Sequence, residues 1–152
     1  MVVFLTPIKK MNRLIPLFIL SILVYPSLAM ADWVHCFTDA AGNNTYYDAK
    51  SIVSVGKGAT KVSVRTDYST KGKNDFIKIR ISRGLDVKGY ENLSHSVTVW
   101  YINCARIEND LYSIFEYDRD DGIISTYKAK EIIMEPVQPG TIGDIFYKIV
   151  CK

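Results

Sequence analysis

The side chains able to do chemistry in this chain are few. Its thiols and imidazoles are Cys36, Cys104, Cys151, His35 and His95. His35 and Cys36 are adjacent, which invites a thiolate–imidazolium nucleophile. On a strand, however, neighbouring residues point to opposite faces, outside the hydrogen-bond reach that such a pair needs. His95 reaches Cys36 only if the fold brings it there. Cys36 is therefore expected to be a buried or semi-buried cysteine that packs as a small hydrophobe. A structural zinc site needs four ligands at short spacing, and the chain has neither Cys-x-x-Cys nor His-x-x-x-His. The stretch Asp118-Arg119-Asp120-Asp121-Gly122 has the composition of a calcium loop. Its glycine stands out of register for the EF-hand pattern, and a hairpin turn accounts for all of it. Two carboxylates could hydrolyse a glycoside, but nothing singles out a pair. No catalytic, metal or cofactor site is expected.

The cysteines say more about compartment. Residues 1–31 read as a secretory signal, with Met11 as an alternative start. Arg13, with Lys9 and Lys10 upstream, forms a positive n-region, Leu14 to Leu28 an apolar h-region, and Ala29-Met30-Ala31 a small-x-small cleavage site. The apolar run is only about fifteen residues long and holds Pro16 and Pro26, whereas a membrane span needs roughly twenty. Asp32 rather than a cysteine follows the cleavage site, so neither a span nor a lipid anchor is expected. Residues 32–152 then form a single domain, periplasmic or secreted. The net charge of +3 resides in Lys9, Lys10 and Arg13, which leaves 16 basic and 16 acidic residues in the rest. No basic stripe remains, and nucleic acid is not an expected partner. An oxidising compartment favours one disulfide among three cysteines, and counting alone leaves all three pairings open.

These groups must be positioned by elements that are mostly strands. "KVSVRTDY" alternates Val62, Val64, Thr66 and Tyr68 against Lys61, Ser63, Arg65 and Asp67, the period of a half-buried antiparallel strand. "SVTVWYINC" is apolar on both sides, which predicts a central strand covered on both faces. "LYSIFEY" and "GIISTYK" form a hairpin around the turn at 118–122. "WVHCFT" and "TYYD" form another around "AGNN", and Asp48 caps a single helical turn in "DAKSI". "FIKIRISRGL" alternates Ile77, Ile79 and Ile81 with polar residues, which favours a strand over 76–84. Asn74 or Asp75 as a cap and Gly84 as a stop make a helix the alternative. "DVKGYENLSHS" reads as a polar loop. The last stretch changes period: Ile142, Ile145, Phe146, Ile149 and Val150 mark an amphipathic helix, with Thr141 at its N-cap. The expected fold is α+β, a single antiparallel sheet of about six strands with a C-terminal helix packed on one face. On an ideal wheel Cys151 falls opposite the apolar stripe, so the helix should end near Val150.

Taken together, Tyr46-x-Asp48-x-x-Ser51-Ile52, Ile102-Asn103-Cys104 and the Pro139-Gly140-Thr141…Cys151 ending resemble the surface-adhesin protein E-like family of Gram-negative bacteria. The likeness spans almost all of 32–152. It implies an exported antiparallel sheet with a C-terminal helix on one face, and a disulfide between Cys104 and Cys151. Cys36 is extra to the family pattern. The resemblance also implies a non-enzymatic binding protein that contacts a host or envelope protein. The alternative is a periplasmic small-ligand-binding or enzyme-inhibitor-like protein, and a homodimer is compatible with both. Cleavage after Ala31 predicts a mature N-terminus at Asp32, which intact mass of the exported protein reads directly. A longer N-terminus rules that site out.

Overall fold

A computed structural model describes residues 31–152. The predicted leader, up to Met30, lies outside the described residues. Eight strands form one antiparallel sheet: β1 Trp33–Thr38, β2 Asn44–Asp48, β3 Val53–Gly56, β4 Ala59–Asp67, β5 His95–Asn103, β6 Glu108–Tyr117, β7 Ile123–Lys128 and β8 Glu135–Pro136. Their order is β1-β2-β4-β5-β6-β7, with β3 beside β4 and β8 beside β6. Strands β2 and β3 thus share one edge of β4, and β7 and β8 share one edge of β6. Consecutive strands are joined by turns, or by the 129–134 loop between β7 and β8, except β4 and β5, between which the first helix is inserted.

That helix, α1, spans Thr70–Ser82, where the alternation of isoleucines favoured a strand. Local capping decides it. The Ser69 side chain accepts from the Gly72 N–H, and the end closes at Gly84, whose φ is +68°. The Leu85 N–H reaches back to the Arg80 carbonyl. Gly72 is required at its place, since a Cβ there would stand 1.8 Å from Asn43 Oδ1. The stretch after α1 is not simply a polar loop either. It contains a 3₁₀ turn, Tyr90–Asn92, and Tyr90 and Leu93 are both buried.

The second helix, α2, spans Ile142–Val150. Thr141 Oγ1 accepts from the Asp144 N–H at 3.4 Å, and Asp144 Oδ2 accepts from the Gly140 N–H at 2.9 Å. A Lys148–Asp144 ion pair follows one turn on, at 2.8 Å. The Lys148 ammonium and the Gly140 N–H hold the Asp144 carboxyl below its ordinary pKa. The inner face of α2 drives Phe146 into Val62, Val64 and Ile102, all four buried, with Trp100 tilted against the Phe146 ring at 5.8 Å. Ile149 and Val150 pack on the same cluster, while Ile142 is left exposed.

Helix α2 ends at Val150, and Cys151 leaves the helical conformation to bond Cys104 in the β5–β6 turn. The Tyr147 hydroxyl donates to the Cys104 carbonyl at 3.5 Å beside it. The bridge closes 47 residues. Replacing Cys104 and Cys151 together by serine should lower stability by about 4 kcal/mol on the chain-entropy account. Urea unfolding monitored by tryptophan fluorescence measures this. A loss below about 1 kcal/mol would show that packing alone holds the helix.

Candidate functional site

The residues of the sheet sort into two faces, and both helices of the described residues lie on the same one. Val62 and Val64 of β4 pair with Trp100 and Thr98 of β5, and these carry α2. Two positions further along, Thr66 pairs with Ser96, and Ser96 with Glu116 of β6. This end of the same face receives α1 and the 3₁₀ turn. The Tyr90 hydroxyl donates to Glu116 Oε2, and the Arg80 guanidinium lies 4.1 Å from the Tyr90 ring centre and 3.9 Å from that carboxylate. Phe76 bridges Tyr68 and Tyr90 by ring contacts at 5.5 and 5.9 Å. Burial, and then the Glu116 carboxylate, push the Tyr90 hydroxyl above its ordinary pKa, which keeps it the donor.

Neither of these helices lies on the opposite face. Strand β5 is central as expected, but among the described residues the helices cover it on one side only. Across the open face runs a row of paired positions, Tyr46, Arg65, Val97, Phe115 and Thr126, one from each of five strands. The next positions add Ser63, Val99, Lys61 and Tyr101. Tyr101 meets Tyr112 edge-on at 5.1 Å, and Lys128 stands 5.4 Å from the Tyr112 ring centre. Most of these side chains are half-buried by their neighbours and show one edge to solvent.

Loops cover the two ends of this face. At one end the β6–β7 turn brings Asp121 Oδ1 to 3.9 Å from His95 Nε2, and His95 lies stacked on Tyr117 at 4.8 Å. At the other end residues 129–134 cross over β6. The Ala129 N–H donates to the Tyr112 carbonyl, and the Ile133 N–H to Asp110 Oδ2. Between this loop and the β3–β4 hairpin lies a cavity of about 380 Å³.

The chemistry-bearing residues of the sequence are scattered over this frame. His35 stands opposite Tyr46 and bonds Thr38 at 3.3 Å. Cys36 falls in a bulge between His35 and Phe37 and packs against the core beside Tyr47, so the two do not form a pair. Cys36 is a free thiol, half-buried, and burial pushes it above its ordinary pKa. That is the reverse of an activated nucleophile. Asp118 Oδ1 accepts from the N–H groups of Asp120 and Gly122, and its carboxylate is occupied in closing the hairpin. Among the described residues no group of three acids, histidines or cysteines is placed to hold a metal. Sequence reasoning missed Glu116 and Tyr90, which meet across 26 residues, and the cavity, which three separate loops assemble.

What the sheet, its helices and its terminal bridge define is a disulfide-latched α+β domain with one exposed sheet face. The chain belongs to the surface-adhesin protein E family, which matches residues 33–152. No curated protein and no solved structure matches it. The family suggests an exported or surface protein. No helix among the described residues is long and apolar enough to cross a membrane.

His95 gives the open face a pH dependence. Burial first, and the Arg65 cation second, hold its pKa below the ordinary 6.5, against the opposing pull of Asp121 and Asp67. The unfolded chain therefore takes up a proton at a higher pH than the fold does. The stability this group contributes is present above about pH 6.5 and is lost as pH falls toward the depressed folded value. His95→Asn should flatten the fall of the urea midpoint between about pH 7 and 5. An unchanged slope would remove His95 as its cause.

Proposed function

We propose that residues 32–152 form an exported, non-enzymatic adhesin-like domain that binds a protein partner through the sheet face away from its helices. The carrying observation is the placement of both described helices on one face. It leaves a five-strand row of Tyr46, Arg65, Val97, Phe115 and Thr126 open. Tyrosine and arginine are enriched among the residues that dominate protein interfaces, because each couples a large apolar contact to directional hydrogen bonds. Family membership supports a binding role, and the partner's class, a host or envelope protein, is an extension of it. The leader at 1–31 supplies the export route, with the product periplasmic or secreted.

Tyr46→Ala and Thr126→Lys lie at opposite ends of the row and leave the buried core untouched. In capture from envelope and extracellular-matrix extracts, wild type should retain a defined partner. The double variant should retain it roughly tenfold less, the effect of losing one interface anchor, with unchanged thermal unfolding. Equal recovery by the variant, or no partner with wild type, overturns the reading.

A further inference from the structure

The cavity at the end of the open face has a lining of unusual balance. Its floor is Ala59 and Asn103, a pair across β4 and β5 that is almost wholly buried. Val55, Ile132 and Met134 form apolar walls. Lys57 and Arg106 stand at the margin, and no carboxylate lines it. At about 380 Å³ it falls within the size range of small-ligand sites.

The polar groups left over are donors. Asn103 Oδ1 accepts from the Arg106 N–H at 3.1 Å, which fixes the side-chain amide. Its Nδ2 has no acceptor among the described residues and remains for the cavity. Arg106 Nε stands 3.1 Å from Glu108 Oε2 without the alignment of a hydrogen bond. Both terminal amino groups of its guanidinium stay available. Lys57, Arg106 and Asn103 Nδ2 thus line the cavity as donors beside the Tyr101 hydroxyl, and the one acid next to them, Glu108, sits on the Nε side of Arg106.

Backbone strain marks the same place. Lys57-Gly58 is a two-residue hairpin turn closed by the Gly56–Ala59 pair, and Lys57 has φ +52°. Such turns favour asparagine or glycine there, and another residue in the left-handed region is strained. In the facing turn Ile107, directly after Arg106, has φ +56°, which is rarer still for a β-branched side chain. Each cation is thus carried at or beside a strained residue. Strain concentrated around one cavity is characteristic of a ligand site.

We infer that this cavity binds a carboxylate attached to an apolar chain or ring. The carboxylate lies between Lys57, Arg106 and Asn103 Nδ2, and the apolar part rests on Val55, Ile132 and Met134. Free aliphatic or aromatic acids carry this chemistry, and so does the C-terminus of an apolar peptide. Such binding would stand whether or not the open face meets a protein.

The test is titration of isotope-labelled residues 32–152, followed by amide chemical shifts. The probes are octanoate, octanol, the peptide acetyl-Val-Leu and its C-terminal amide. Octanoate should move the Lys57, Asn103 and Met134 amides saturably, and octanol should bind at least about tenfold more weakly, as loss of a charge-assisted contact requires. Saturation by acetyl-Val-Leu but not by its amide identifies a peptide C-terminus as a ligand; saturation by octanoate alone identifies a free acid. Lys57→Asn separates binding from folding. It should weaken the acid about tenfold while the thermal midpoint holds or rises, because Asn-Gly suits this turn better. The inference fails if neither acid saturates, if octanol matches octanoate, if the shifts lie elsewhere, or if Lys57→Asn binds as wild type does.

Discussion

A nine-residue helix does not hold together in water, and the buried cluster of this domain is built on one. Phe146 is the piece without which Val62, Val64 and Ile102 would face solvent. Its position is fixed from both ends of α2. Thr141 and Asp144 satisfy the free N–H groups at the start, and the Cys104–Cys151 bond anchors the finish. The bridge enters the β5–β6 turn, so the helix is tied to two of the three strands that pair over nine positions each. A helix this short carries little stability of its own. What it contributes is apolar area, and the covalent tie turns a transient contact into a permanent cover.

The other end of the covered face is held by different physics. Glu116 is a buried carboxylate, which is costly unless its oxygens are matched. Tyr90 supplies the hydroxyl and Arg80 the charge, and the Arg80 side chain also lies on the Tyr90 ring. Replacing such a cluster by apolar side chains would often be neutral or stabilising, so its effect is on geometry rather than on total stability. It places the 3₁₀ turn, and α1 above it, at one position on the sheet.

That arrangement explains what was legible in the sequence. Strands β4, β6 and β7 announce themselves by period two, since one side of each is buried and the other is not. Helix α2 announces itself because Ile145, Phe146, Ile149 and Val150 share a face. Helix α1 does not, because it buries Gly72 and packs Phe76 and Arg80, one residue per turn, with Ile79 and Ile81 exposed. A contact made by one aromatic and one stacked guanidinium has no apolar stripe, so the isoleucines imitate a strand. The disulfide followed from family likeness, as counting left three pairings. The cavity left almost no local mark. Its walls come from the β3–β4 hairpin, the β5–β6 turn and the 129–134 loop, and only the run Ile132-Ile133-Met134 in polar surroundings hinted at it.

One-sided covering has a further consequence for how the open face is built. A sheet with both helices on one side must keep its other side soluble without becoming a second unsupported core. Here the solution is half-burial: Arg65 pairs with Asp67 at 2.6 Å, Tyr101 packs on Tyr112, and long side chains shield the β-branched residues between them. Such a face tolerates water and still offers aromatic edges to a partner. The exceptions are its two ends, where His95 and the Ala59–Asn103 pair are withdrawn beneath loops. Burial on an otherwise open face needs a reason at each place. At His95 it is supplied by the stacked Tyr117 ring and the hairpin turn that carries Asp121. At Ala59–Asn103 the covering loop stands off and leaves a cavity instead of closing on the floor. A loop that brings Ile132 and Met134 over a buried amide without filling the gap has its apolar side chains only partly matched, and an apolar occupant with a polar end would complete both contacts at once.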